Sequence, residues 1–378
     1  MSGPPPERPR PPLSPAVSNS IKVARVLGIL GLVIIHVPPW RIDLGDPPRA
    51  IGAFDLVFQY CQELFGRASV PLLSIISGYL MVRLDTGIAP RARLAKKAWS
   101  LLVPLFCWNL IAVLLAAILD GGLPERSWLG WANELFALTA EPAILPLYFL
   151  RDMFVCAILY PLLRALIGRW PVPAILFALA ITLADWTYPL FIGSGPFLFF
   201  TVGVGVALGK VRARPGRTAT ALIAAAALLV PAFTTSVTTA MLTGAFDQPT
   251  LDAAFTAGLY LERVFGAGAT WLLAGWVVRQ PWAGRVTAIE PMIFLVFCSH
   301  VLWLGLAWNV LHRIGLDYDH PLYPLFFLTA PLQALAAGVA LHAVLSRIAP
   351  RLLAVLCGGR TPSARPGRAT TPRLRRTS

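Results

Sequence analysis

What most constrains this chain is its succession of about ten apolar runs, each close to the length that crosses a bilayer. A hydrocarbon core is about 30 Å thick and a helix rises about 1.5 Å per residue, so roughly 20 apolar residues make one crossing. The runs fall at 24–37, 69–82, 99–119, 145–163, 172–186, 196–209, 219–242, 257–278, 291–311 and 323–345. The second carries an amphipathic lead-in from residue 52 onward. Backbone polar groups in lipid have no water to pair with, so such runs must close their hydrogen bonds within a helix. The expected fold is all-α: a polytopic transmembrane helical bundle of about ten helices. Composition agrees, since only 13% of residues are charged against about 25% in a soluble domain. Most of the surface cannot be facing water.

The formal net charge is +14, from 32 Lys and Arg against 18 Asp and Glu. The positive charges sit in short clusters between the apolar runs. With the N-terminus inside, the inner segments hold Arg83, Arg91, Arg93, Lys96 and Lys97, then Arg164 and Arg169, then Lys210, Arg212, Arg214 and Arg217, then Arg279 and Arg285. The outer segments hold only Arg41, Arg49, Arg67, Arg126 and Arg313. Lys and Arg accumulate on the cytoplasmic side, so both termini are expected to be cytoplasmic. The same placement speaks against nucleic acid as a partner, although a basic balance alone would allow it.

Residues 1–20 are Pro-rich (PPPERPRPPLSP) and are expected to form a disordered tail, unable to make a helix or a core. Residues 347–378 are expected to form a basic, disordered cytoplasmic tail that lies against anionic headgroups. One membrane domain, 21–346, remains. Its first run lacks the flanks and cleavage site of a signal peptide and reads as a retained helix. Cys61, Cys107, Cys156, Cys298 and Cys357 are scattered, with no CxxC pair and no His at ligand spacing, so no metal site is expected.

Ionisable residues inside membrane helices are costly and mark function by default. Arg25 and His36 lie in the first run, in R-VLGILGLVII-H. Eleven residues is about three turns, which puts both on nearly the same face roughly 16 Å apart along the axis. His is a natural general base for a hydroxyl near neutral pH. An Arg at the cytoplasmic mouth suits a phosphate or pyrophosphate. The plainer readings are a snorkelling Arg25 and a His36 that caps a helix end. Arg151 and Asp152 sit in LPLYFLRDMF; neighbours on a helix do not face each other, so each is expected to find its partner elsewhere. Ser77, Gly78 and Tyr79 form SGY, where small residues usually serve close helix packing, although Tyr79 can orient a substrate. His300, in FLVFCSHVLWLG, is either a second pocket histidine or a polar link between helices.

Taken in order, these residues resemble the acyltransferase family 3 membrane proteins, which include O-acetyltransferases of bacterial surface polysaccharides. The first helix has R-x10-H, the second ends in LLSIISGYLM, and the basic stretch RARLAKKAWSLLVPLFCW leads into the third. The fourth has YFLRDM, and a late helix has IFLVFCSH. The likeness runs from residue 20 to 345. The pattern is departed from at two motifs: Tyr148 stands for the usual Trp, and Leu73, Ile75 and Ile76 precede SGY where an aromatic is usual.

The resemblance implies an acyl-CoA donor, acetyl-CoA or another short acyl-CoA, used as a substrate with no bound cofactor. It implies a glycan or glycolipid acceptor and a place in the bacterial inner (cytoplasmic) membrane as a multi-pass protein. Carried over by motif, His36 becomes general base or acyl relay, Arg25 a donor-binding partner and Arg151 a pocket residue; Arg151 and Tyr79 are the candidate oxyanion donors. Some family members carry a fused C-terminal esterase-like domain. Only a short basic tail follows the last run here, so either the membrane domain acts alone or a separate extracytoplasmic partner completes the transfer. The alternative from another class is a multi-spanning transporter or flippase of a lipid-linked sugar. An inverted repeat with broken helices would favour it, and the sequence shows none.

Overall fold

The computed structural model describes residues 13–39 and 51–360, apart from 86, 88, 194, 213–214 and 245–247. The described residues form helices and turns, with no strand among them. The main helices are α1 (Pro15–Ile35), α2 (Ala53–Cys61), α3 (Ser69–Arg83), α4 (Pro90–Asp120), α5 (Trp128–Phe136), α6 (Tyr148–Arg169) and α7 (Pro171–Leu183). They continue as α8 (Pro196–Ala207), α9 (Arg217–Thr243), α10 (Gln248–Val277), α11 (Ala283–Arg313), α12 (Tyr323–Ile348) and α13 (Pro350–Leu356). One π-helical turn, Gln62–Gly66, joins α2 to α3.

Each apolar run of the sequence is the body of one helix. Six helical stretches among the described residues are long and apolar enough to cross a membrane: Pro15–Ile35, Ala53–Arg83, Pro90–Leu119, Arg217–Thr243, Ala283–Arg313 and Tyr323–Ile348. On length and composition alone, six of the ten expected runs meet this test among the described residues. The reasons are local. α7 and α8 have 13 and 12 residues, too short for a straight crossing. α6 and α10 are long enough but carry Arg151, Asp152, Glu262 and Arg263 within their apolar runs. Leu222, Leu228 and Leu229 of α9 and Leu325, Leu328 and Leu332 of α12 are more than half exposed. Apolar faces of that extent need hydrocarbon, not water, around them. The chain is a multi-pass membrane protein.

Helix α1 runs through the middle of the bundle and packs on α3, α10, α11 and α12. Two close approaches fix its surroundings. A Cβ on Gly31 would lie 2.4 Å from the Phe65 carbonyl oxygen, and one on Gly66 would lie 2.6 Å from Ile35 Cβ. The π turn thus rests directly on α1. Likewise a Cβ on Gly78 would meet the Phe200 carbonyl oxygen at 2.2 Å, and one on Gly203 the Ile75 oxygen at 2.1 Å. Small residues let α3 and α8 touch backbone to backbone, where lipid supplies no hydrophobic drive for association.

Both tails are shorter than the sequence reading places them. Helix α1 begins at Pro15, inside the expected 1–20 tail. Ser14 Oγ accepts from the Val17 N–H at 3.4 Å, and Pro15 occupies the first turn, where its missing N–H costs nothing. At the other end, residues 350–360 fold back on the bundle. Leu353, Leu356 and Cys357 are buried, and the Trp108 indole N–H donates to the Leu356 carbonyl at 3.2 Å. Residues 1–12 and 361–378 of the two tails lie outside the described residues.

Candidate functional site

His36 stands one residue past the end of α1. Its backbone leaves the helical region (φ −103°, ψ 9°) and its N–H closes the last turn onto the Val33 carbonyl at 3.1 Å. The segment beyond is held by Tyr323, whose hydroxyl donates to the Pro38 carbonyl at 2.8 Å. A cavity of about 180 Å³ opens at this point. A single water needs only about 10–15 Å³ by the same measure, so the space takes several small groups. His36, Ile35 and Leu32 form one side. Arg67, Val70 and Pro71 come from the start of α3, Pro146 and Tyr148 from the start of α6, Pro196 from α8, Arg263 from α10 and Phe297 from α11. The end of α1, the starts of α3, α6 and α8 and the interiors of α10 and α11 therefore converge on one space beside the histidine.

His300 lies directly behind His36, with ring centroids 5.3 Å apart and planes tilted by 54°. It is wholly buried, and its Nδ1 is 2.8 Å from the Phe297 carbonyl oxygen. Of the two readings left open by the sequence, the structure gives a histidine beside the cavity that does not line it.

Arg67 is one of two cations that line this cavity, the other being Arg263, and sequence reasoning missed it. It was read as an outer-loop charge. The i,i+4 relation to Glu63 was the available signal. Arg67 donates to Glu63 through Nε at 2.6 Å and Nη2 at 3.0 Å, a fork that fixes the guanidinium in both position and plane. The Glu63 side chain is 2% exposed and also accepts from Gln59 Nε2 at 2.7 Å. Glu262 is buried close by, within electrostatic reach of Glu63 and Arg67. Arg263, its neighbour, rests its guanidinium 5.1 Å over the Tyr260 ring.

The remaining sequence candidates lie elsewhere. Arg25, eleven residues before His36 in α1, is ion-paired with Glu290 of α11. Arg360 reaches the same region, with its guanidinium 4.0 Å over the Phe294 ring and a bond to the Ser100 carbonyl at 2.8 Å. Burial, with the positive charge of Arg25 second, brings the Arg360 guanidinium down to about 10, so it is still charged at neutral pH. Arg151 does bond to its neighbour: Nη1 donates to Asp152 Oδ1 at 3.0 Å, which corrects the expectation that the two cannot pair. Long side chains can fold back where Cβ directions alone forbid it. The pair is a clasp for the loop before α8. Arg151 donates to the carbonyls of Leu138 (3.0 Å), Pro189 (3.1 Å) and Leu190, and Asp152 accepts from the N–H groups of Ile192 (3.1 Å) and Gly193 (2.9 Å). Neither lines the cavity. Ser77 Oγ donates to the Leu73 carbonyl at 2.7 Å within its own helix. Tyr79 packs against the apolar cluster that holds Ile21, Val23 and Ala24, and it does not line the cavity. Among the described residues no three His, Cys, Asp or Glu side chains are grouped to hold a metal ion.

Residues 18–347 match the family of the acyltransferase 3 domain. The chain is also 34% identical over 368 residues to the succinoglycan biosynthesis protein ExoH of Rhizobium meliloti (strain 1021), an alignment that covers 92% of this chain and 94% of that protein. No solved structure matches it. A match of that length spans every helix that lines the cavity and both ends of the R-x10-H segment, and the chain belongs to the acyltransferase 3 family.

Proposed function

We propose that this protein transfers an acetyl or other short acyl group from acyl-CoA to a hydroxyl of a carbohydrate, an exported or cell-surface polysaccharide. The observation that carries the reading is the small cavity in which His36 and the Glu63-anchored Arg67 face one space, in a chain of an acyltransferase family. The succinoglycan relative supports a polysaccharide acceptor. The protein sits in the bacterial inner membrane with both termini in the cytoplasm. Arg25 and Arg360 then mark the inner face, where the phosphates of the donor bind, and the cavity at His36 lies in the outer half.

The acceptor oxygen attacks the thioester carbonyl carbon while His36 takes the hydroxyl proton. The carbonyl oxygen becomes an oxyanion, and Arg67 is the fixed cation in the cavity that stabilises it. This role passes to Arg67 from Arg151 and Tyr79, which do not line the cavity. The C–S bond then breaks and His36 returns the proton to the sulfur, so the products are an ester and a free thiol. The apolar walls of Leu32, Val70, Pro146 and Phe297 exclude water that would hydrolyse the thioester.

The test is transfer from radiolabelled acetyl-CoA to extracted cell-envelope glycan by membranes holding wild type, His36→Ala or Arg25→Ala. The expected outcome is a loss of about 10²-fold or more for His36→Ala at equal expression. Arg25→Ala is expected to raise the donor concentration needed, with activity recovered at saturation. Full transfer by His36→Ala would sink the mechanism.

A further inference from the structure

The His300 side chain carries a contradiction that the proposed chemistry resolves. A carbonyl oxygen only accepts hydrogen bonds, so the 2.8 Å contact with Phe297 requires a proton on His300 Nδ1. In the neutral ring Nε2 is then bare, with its lone pair in the plane. That nitrogen is fully buried and has no hydrogen-bond partner among the described residues. More than nine in ten buried polar groups are paired, so an orphan acceptor beside a cavity calls for a donor. The ring next to it belongs to His36, at 5.3 Å between centroids. A linear N–H···N bond of about 3 Å between two imidazoles places their centroids a little over 5 Å apart, whereas stacked rings approach closer. The rings are tilted by 54° and share no hydrogen bond in the structure, so a turn of the His36 ring about its side-chain bonds is what brings one of its N–H groups onto Nε2.

We infer that His300 is a positioning residue for His36: its bare Nε2 accepts the N–H on one side of the His36 ring and leaves the lone pair of the other nitrogen facing the cavity. This rests on the reading of His36 as the general base. The relay is built from the backbone outward. The Phe297 carbonyl sets the tautomer of His300, and His300 sets the tautomer of His36. A free imidazole spends part of its time with the proton on the wrong nitrogen, where it cannot take a proton from a hydroxyl. As His36 charges during the reaction, the same bond shares the new positive charge with His300 without moving a second proton. Because Phe297 lines the cavity and His300 does not, His300 acts only through His36.

The experiment uses the full chain, labelled with 15N-histidine and placed in lipid nanodiscs, with its five histidines assigned by single substitutions. The wild type is expected to show His36 with one protonated and one bare nitrogen. In His300→Phe these signals are expected to merge toward the average of two tautomers. In transfer of labelled acetyl-CoA to cell-envelope glycan, His300→Phe is expected to lower kcat about 100-fold with KM for acetyl-CoA unchanged. His300→Gln, whose amide oxygen reaches the place of Nε2, is expected to recover about tenfold of that loss. Unchanged His36 signals in a folded His300→Phe protein would overturn the inference and leave a buried water as the partner of Nε2. Equal loss in Phe and Gln variants, with KM raised, would also overturn it and make His300 structural. If His36→Ala is inactive while His300→Phe matches wild type, only the pairing fails. If His36→Ala is fully active, the general-base reading fails and takes the pairing with it.

Discussion

Arg67 and Arg151 are two partly buried arginines whose different partners decide what each can do. Arg151 spends its four terminal N–H groups on three carbonyls and Asp152, and it does not line the cavity. Arg67 is clamped by one carboxylate and turns toward a cavity. Arg67→Gln is expected to lower kcat by about 10²-fold, as the loss of one oxyanion donor does. Arg67→Lys should recover part of this, because it restores the charge but not the fork. Glu63→Gln should give a smaller loss, since the cation stays but its aim loosens. Steady-state transfer kinetics in membranes separate the three. For the clasp the expected effect is on stability. Asp152→Ala leaves two loop N–H groups and a guanidinium without their acceptor, and should cost about 3 kcal/mol, read as a lowered thermal midpoint in detergent.

At the scale of elements, the site depends on where helices end. His36 is a cap residue, Arg67 follows a π turn, and Tyr148 and Pro196 open their helices. π turns recur at functional sites because they displace one side chain from the regular register. Here the displaced segment is pressed onto α1 through Gly31 and Gly66. Gly31→Val places methyl groups where the Phe65 carbonyl oxygen now sits, and backbone cannot yield cheaply. Such overpacking should cost about 1–3 kcal/mol and also reduce transfer, because the π turn carries Arg67 with it. Gly203→Val, at the α3–α8 contact, should lower stability by a similar amount. Thermal unfolding and transfer, measured on both variants, should show the activity loss per unit of stability to be greater for Gly31→Val.

For the whole molecule, the proposed topology puts the Lys and Arg clusters on the inner face, the end of the bundle that the C-terminal segment packs against. Truncation after Arg360 should leave expression and thermal midpoint close to wild type. Truncation after Ile348 removes buried Leu353, Leu356 and Cys357 and the acceptor of the Trp108 indole, and should lower both. A cysteine-free variant with Ser127→Cys should react with a membrane-impermeant maleimide from outside the cell, and one with Arg212→Cys only after the membrane is opened. The reverse pattern would invert the topology proposed above.

The apolar runs by themselves determined an all-helical membrane chain, because backbone groups in lipid have no other way to be satisfied. The R-x10-H spacing likewise marked Arg25 and His36, since a costly ionisable group in a membrane helix is visible without any contact being known. The rest depended on tertiary structure. The sequence places Ser77 and Tyr79 in a motif, but the backbone approach of α3 to α8 makes that motif a packing device. Arg67 looked like an outer-loop charge until the π turn carried it to His36. His300 was ambiguous until its buried, unpartnered nitrogen was found beside the ring of His36, far off in the chain and a neighbour only in space. Periodicity and hydropathy report the solvent that each residue prefers. Which ionisable groups share a cavity depends on how helices cross, and that is set by close contacts between residues far apart in the chain.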